Sequence, residues 1–337
     1  MPRDPRRLRI LTWHVHGSYL YYLTHVPHEF YIPVKPGRPA GYGGRAGSFP
    51  WPDNLHEVPA EELHDLELDC VLYQSAQHWL HDGPQLLSDE QLALPVIYLE
   101  HDPPRRHPTD TRHPVDDSSV LLVHVTPFNA LMWDSGDTPT RVIEHGVVVP
   151  DDARYSGELA RGIAVVNNLA SRGRRLGADV FVEARERVPL DLVGMGAEEL
   201  GGLREVQPPE LARFASRYRF FFNPIRYTSL GLAICEAMMA GMPIIGLATT
   251  ELVTVVKNGE SGWVDTKLET LIEHMNALLA NPAEARRLGE GARRTAVERF
   301  GMDRFVRDWA EAFALVTGTR APRRAARQPM AVSGDPL

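Results

Sequence analysis

Short apolar runs recur along this chain, each ending in glycine, proline or a polar turn, with helical patterns between them. In the first half, Arg9–Val15, Asp69–Tyr73, Pro95–Leu99, Val120–Val125 and Thr140–Glu144 read as strands, with helices over Gln77–His81 and Asp89–Leu92. The polar stretch Val147–Gly162 interrupts the alternation. It resumes with strands at Gly162–Val166, Leu190–Val193, Tyr218–Phe222, Pro243–Gly246 and Gly262–Val264. Helices are expected at Ala178–Arg187, Pro209–Ser216, Leu232–Ala240, Thr250–Val256, Lys267–Ala280 and Ala283–Arg299, and from an Asp303 N-cap to Leu315. Strands alternating with helices imply a parallel sheet with crossover connections. One interruption in 337 residues predicts two α/β domains, each with a parallel sheet, over 1–150 and 151–316. Phe30–Pro52, rich in Gly, Pro and aromatics, reads as one long loop, Ala60–Leu68 as an acidic, Leu-spaced segment, and 317–337 as a disordered tail. The two halves share a pattern but no sequence repeat.

Composition narrows the partners. The formal net charge of -8 argues against nucleic acid, whose phosphates need excess Lys and Arg. The only lysines are Lys35, Lys257 and Lys267, so a local anion site would have to be built from arginines. Cys70 and Cys235 lie inside apolar runs, which fits a reducing compartment and no disulfide framework. The basic start, Met1–Arg9, leads into a strand without a signal-peptide core, and no run approaches ~18 apolar residues. A cytoplasmic protein is expected, and the tail's arginines could touch an anionic membrane face.

Ligands of open parallel sheets bind beyond the carboxyl ends of the strands. Gly17, His101 and Gly146 sit at such ends. The most informative segment runs Asn223-Pro-Ile-Arg-Tyr-Thr-Ser-Leu-Gly-Leu-Ala-Ile-Cys-Glu236-Ala-Met-Met-Ala-Gly241-Met-Pro243. A strand ends at Asn223, a loop crosses the sheet top, and a helix begins near Gly231-Leu232. The first-turn amides of such a helix, with its dipole, can hold a diphosphate, and Gly231 allows close approach. Glu236 lies one turn into an otherwise apolar helix. A carboxylate there is costly without a partner. Vicinal ribose hydroxyls are one suitable partner, because a carboxylate accepts two hydrogen bonds; nearby backbone or an arginine is another.

Gly231, Leu232, Glu236, Ala237, Gly241 and Pro243, with the later Val256-Lys-Asn-Gly259-Glu-Ser-Gly262-Trp-Val264 and Phe300-Gly-Met-Asp-Arg, closely resemble the donor-site signature of the retaining GT-B glycosyltransferases, family four (glycosyl transferases group 1). The resemblance is strong from Gly162 to Leu315 and thin before that. It implies two Rossmann-like domains facing a central cleft, an acceptor side before residue 150 and a nucleotide-sugar donor side after it. It also implies a terminal helix that can pack back on the first domain. The implied activity is metal-independent, hexosyltransferase-like transfer from a UDP- or GDP-type sugar, with retention, to a carbohydrate, lipid-linked or small-molecule acceptor. No separate cofactor is implied.

The same resemblance assigns Ser229, Leu230, Gly231, Leu232 and Glu236 to the donor, with Val206 near the base and Gly17 under the diphosphate. The family's first Glu falls at Thr228, which can bond a sugar hydroxyl but brings no charge. The family clamps the diphosphate with an Arg and a Lys; here Leu176-Gly177 stands in the lysine's place, and Arg172 and Arg175 are the substitutes. His101 corresponds to the active-site histidine that orients the donor sugar; it is not a general base, since the departing phosphate takes the acceptor proton. Each has a plain structural alternative: a solvated basic loop, a satisfied strand-end histidine.

Weaker signals remain. His14 and His16 suggest a metal only faintly, for no carboxylate or Cys partner has a suitable spacing, and the chain has no Asp-x-Asp. Gly194-Met-Gly196 lacks the third glycine of a dinucleotide fingerprint, Glu199 standing in its place, which disfavours an NAD-dependent oxidoreductase. Trp13, His16, Tyr19, Tyr21, Tyr22 and Trp51 could stack on an acceptor or pack a core. Thr228 motivates a second reading, a non-catalytic sugar-nucleotide-binding or scaffold subunit with the same fold.

Overall fold

A computed structural model describes residues 7–318. The basic residues 1–6 and the arginine-rich stretch from 319, with its expected membrane contact, lie outside the described residues. The first sheet has seven parallel strands: β1 (Arg9–Leu11), β2 (Glu29–Val34), β3 (Leu55–Pro59), β4 (Cys70–Tyr73), β5 (Val96–Glu100), β6 (Val120–His124) and β7 (Thr140–Val142), in the order β3-β2-β1-β4-β5-β6-β7. The second has five: β8 (Leu159–Val165), β9 (Leu190–Val193), β10 (Tyr218–Asn223), β11 (Ile244–Leu247) and β12 (Gly262–Asp265), in the order β12-β11-β10-β8-β9. The connecting helices are α1 (Gly17–Leu23), α2 (Gly83–Leu86), α3 (Asp89–Leu92), α4 (Pro127–Met132), α5 (Leu169–Leu176), α6 (Ala178–Arg185), α7 (Pro208–Ala215), α8 (Leu232–Ala240), α9 (Leu252–Val255), α10 (Leu268–Ala280), α11 (Pro282–Phe300) and α12 (Met302–Gly318).

β4, β6 and β10 are buried along their whole length, as interior parallel strands with both faces covered must be. Strand order reverses between β1 and β4 in the first sheet and between β8 and β10 in the second. The crevices beyond the carboxyl ends at these two reversals are where such sheets bind ligands.

Four expectations need correction. Phe30–Pro52 is not one loop: β2 runs through Glu29–Val34 as an interior strand despite Pro33. Gly17 does not merely stop β1; it opens α1, whose buried face is Tyr19, Leu20, Tyr22 and Leu23. The basic segment carrying Arg172 and Arg175 is not a loop but a broken helix, α5, kinked where Gly173 takes φ 55°. Asp303 does not cap the last helix, which already begins at Met302; its charge sits in the first turn, where the helix dipole still favours it. That helix also continues through Thr317 and Gly318.

α12 buries Phe305, Trp309, Ala312 and Phe313, a stripe at helical spacing, against the first sheet's residues. Trp309 Nε1 donates to the Tyr19 hydroxyl at 3.2 Å, and Phe313 packs on His28 and Phe30. Gly146 is explained by packing, since a side chain there would overlap Phe305. One continuous core therefore runs from Ile10 and Phe30 through Tyr22 and Val147 to Ile234, Phe300 and Trp309, joining the two sheets. Among the described residues, no helix is long and apolar enough to cross a membrane. Cys70 and Cys235 are free and buried.

Candidate active site

At the reversal of the second sheet, the loop after β8 begins with Asn167, whose side-chain oxygen accepts the Met195 amide at 3.0 Å. That bond knits the Gly194–Gly196 turn to α5. The kinked helix carries three arginines with different fates. Arg174 pairs with Asp179 at 2.5 Å, and Arg226 shares the same carboxylate at 2.5 Å. Arg172 and Arg175 form no ion pair among the described residues. Burial is the largest influence lowering both guanidinium pKa values, followed by Arg175 for Arg172 and by Arg105 for Arg175. The Arg175 carbonyl accepts the amides of Arg226 and Tyr227 at 3.1 Å each, so α5 holds the loop that follows β10. Gly177 makes this possible: it takes φ 82°, and a side chain there would overlap the Pro224 carbonyl.

That second loop, from Pro224 to Gly231, crosses the sheet top. Thr228 is half-buried, and the buried Ser229 hydroxyl has no hydrogen-bond partner among the described residues. The Leu230 carbonyl accepts from His145 Nε2 at 2.8 Å. Gly231 precedes α8 in extended backbone, no side chain caps the helix, and the space where a Cβ would stand is open. The first-turn amides thus keep the unfilled anion-binding capacity of a helix N-terminus.

Glu236 accepts the Tyr22 hydroxyl at 2.6 Å, from α1 of the first domain, and Tyr22 also reaches the Val148 carbonyl at 3.3 Å. Desolvation pushes the Glu236 carboxyl up to about 7, partly offset by that hydrogen bond. The Tyr22 phenol is raised in turn, by its own burial and then by the Glu236 charge.

On the facing domain, His101 follows β5. Its Nε2 lies 2.9 Å from Gln74 Oε1, and the Gln74 amide nitrogen donates to Thr12 Oγ1 (2.8 Å) and the Trp13 carbonyl (3.0 Å). With its nitrogen committed to those acceptors, Gln74 presents its oxygen to His101. Nε2 therefore carries the proton and Nδ1 is left as an acceptor. Burial, then His16 and His145, hold the His101 pKa well below its ordinary value, so the ring stays neutral. His16 and Tyr19 pack edge-on to it, at 4.5 and 4.8 Å between ring centres. Gly17 follows His16; a side chain there would press on His14 and Phe49. The next loop carries Asp102 and Arg105, paired at 2.6 Å, and the Pro104 carbonyl accepts the Tyr227 hydroxyl at 2.8 Å.

Arg172, Arg175, Gly231, Glu236, His101 and Gly17 thus lie on loops and helix starts that meet through Tyr22–Glu236, His145–Leu230 and Tyr227–Pro104. Val206 lines a surface cleft of about 780 Å³ with Leu203, Arg204 and Phe214, and packs against the core that also holds Leu230 and Ile234. The aromatic group divides. Trp13, Tyr19 and Tyr22 are buried, Trp13 stacking on Tyr73 and His78. Tyr21 and Trp51 instead gather with Phe49, whose ring lies beside Gly17. His14 Nδ1 contacts the Gly44 carbonyl at 2.5 Å. Among the described residues, no three His, Cys, Asp or Glu side chains converge to hold a metal. Sequence reasoning missed Gln74, Arg105, Tyr227 and the pairing of Tyr22 with Glu236. Only the Asp102-Pro-Pro-Arg105 turn, next to His101, offered a signal.

Residues 202–295 match the family model of the glycosyl transferases group 1. The segment spans α7, β10, α8, β11 and β12, the framework around Thr228–Glu236. The chain is 32% identical over 172 residues to a D-inositol 3-phosphate glycosyltransferase from Xylanimonas cellulosilytica, a match spanning 44% of this chain and 41% of that relative's length. Among solved structures, it is similar to a sucrose-phosphate synthase from Thermosynechococcus elongatus, with a TM-score of 0.67 at 18% identity over 93% of this chain and all of that one. It is likewise similar to Anabaena HepE in complex with UDP-glucose, with a TM-score of 0.65 at 12% identity, over 92% of this chain and all of that one. At these identities the likeness is one of fold. Two parallel α/β, Rossmann-like domains and these neighbours establish the GT-B fold.

Proposed function

We propose that this chain is a group 1 glycosyltransferase that moves a sugar from a nucleoside diphosphate donor to an acceptor on the first domain, with retention and without a metal or other cofactor. The observation that carries the reading is the meeting of two ligand-binding crevices. The uncapped start of α8 follows Leu230, whose carbonyl His145 of the first domain holds at 2.8 Å. Tyr227 of the same loop is bound to Arg175, which like Arg172 forms no ion pair among the described residues, and His145 lies within electrostatic reach of neutral His101. In this reading the arginines and first-turn amides hold the diphosphate as its charge grows on departure. Glu236 takes the ribose, and His101 Nδ1 accepts a hydroxyl of the donor sugar and orients it. The UDP-glucose bound by HepE is a donor of this class.

Thermal shift against UDP, GDP, ADP and TDP tests the binding half. A ligand at 100 times its Kd adds roughly 2.7 kcal/mol of stability. No shift with any of the four would contradict the reading.

Thr228 favours a second reading, a donor-binding subunit without turnover, because it brings no charge where the resembled signature has a carboxylate. Donor binding with no sugar transferred or hydrolysed would select it.

A further inference from the structure

One basic group at the junction has no part in the reading above. Arg105 leaves 56% of its side chain exposed and pairs with Asp102 at 2.6 Å. Its loop is fastened on both sides: Trp133 Nε1 donates to the Asp102 carbonyl and the Tyr227 hydroxyl to the Pro104 carbonyl, each at 2.8 Å. Tyr227 is itself bound to Arg175, its amide donating to the Arg175 carbonyl at 3.1 Å and its carbonyl accepting from Arg175 Nη1 at 3.4 Å. One tyrosine therefore spans from the loop of Arg105 to Arg175. His16, immediately before Gly17, lies within reach of the charges of Asp102, Arg105 and Arg172. Arg105 alone pairs with the Asp102 carboxylate, and Arg172 and Arg175 lie within electrostatic reach of both. Like charges gathered this way repel, and an anion carrying more than one charge relieves the repulsion.

We propose that Arg105 is a third phosphate-binding arginine, supplied by the first domain, which contacts the distal phosphate of a nucleoside diphosphate while Arg172 and Arg175 hold it from the second. The inference rests on the donor reading and deepens it: the diphosphate becomes a bridge between the domains, and a monophosphate is too short to make it. Arg105 then exchanges or shares its Asp102 contact when the phosphate arrives.

The test is calorimetry of the full chain with UDP and GDP and with UMP and GMP, using wild type, Arg105→Gln and Arg105→Lys. Arg105→Gln should weaken the preferred diphosphate by about tenfold or more and its monophosphate by less than about twofold. Arg105→Lys, which keeps the charge but loses the fork, should fall between. The diphosphate affinity of Arg105→Gln should also depend less steeply on salt. Without nucleotide, the melting temperature should be unchanged, because an exposed ion pair contributes little. Wild-type diphosphate affinity in Arg105→Gln, or equal losses for both nucleotides, overturns the inference and leaves the donor reading standing. A wild-type chain that binds none of the four nucleotides removes both.

Discussion

Tyr22 donates its hydroxyl to Glu236 at 2.6 Å, joining α1 of the first domain to α8 of the second across 214 residues of sequence. The bond occupies one oxygen of the carboxylate on which the ribose assignment rests, and leaves the other to a ligand. Burial at the junction raises the Glu236 carboxyl to about 7 from its ordinary 4.5, and the Tyr22 bond pulls the other way.

A carboxyl raised on folding contributes stability that is complete below its unfolded value and lost as pH rises through its folded one. Glu236→Gln should therefore gain stability relative to wild type, by on the order of 1–3 kcal/mol, between about pH 5 and about pH 8. Ribose hydroxyls donate more strongly to the ionised form, which accepts at both oxygens and carries no proton of its own. Nucleotide binding should then expel a proton near neutral pH and tighten as pH rises through about 7. Calorimetry in two buffers of different ionisation enthalpy reads the proton; a buffer-independent enthalpy sinks the ribose role. Glu236→Gln should also bind nucleotide more weakly, by roughly tenfold, while remaining folded.

Arg172 and Arg175 act together in this account. Replacing both with Ala should weaken nucleoside diphosphate by about 2–4 kcal/mol and monophosphate by much less. Titration of both nucleotides checks it, and equal losses would place the pair away from the distal phosphate.

His101→Ala should lower turnover by about 2–4 kcal/mol of barrier while the free nucleotide binds as before, since the ring faces the sugar rather than the base. Gln74→Leu frees the imidazole to change tautomer and should cost on the order of tenfold in kcat with His101 intact. Steady-state kinetics with nucleotide affinity measured in parallel separates these outcomes. Full activity in Gln74→Leu would show that the tautomer does not matter.

Gly177→Ala tests the scaffold. Its φ of 82° and the Pro224 carbonyl beside it leave no room for a methyl group. We expect a loss of about 2 kcal/mol or more in stability, with the Pro224–Gly231 loop displaced. Chemical denaturation measures it, and an unchanged midpoint would mean that α5 does not fix that loop.

The sequence made the second domain far more legible than the first. β8 to β12 alternate with helical segments, and Gly231, Glu236, Gly241 and Pro243 mark one strand-to-helix crossing through their resemblance to the family signature. The first domain hid β2 because Pro33 cannot donate to a ladder and its flanks are full of glycine and proline. α1 was hidden because Ser18, Tyr19, Tyr21 and Tyr22 are not strong helix formers; burial of its aromatic face holds it instead. Local features were legible, as with the helix start at Gly231. It was not legible where partners come from distant loops: nothing in the sequence ties Gln74 to His101, Tyr227 to Pro104 or Tyr22 to Glu236. The first arises because the adjacent strands β4 and β5 end side by side, the other two because the two domains meet at the carboxyl ends of their sheets.

The most direct test of the central claim is turnover of a panel of UDP-, GDP-, ADP- and TDP-sugars in the presence of a chelator, with the anomeric configuration of the product read by NMR. Transfer to an acceptor or to water should release nucleoside diphosphate without added metal and keep the donor's configuration. An inverted product, an absolute metal requirement, or no sugar consumed from any donor would contradict it.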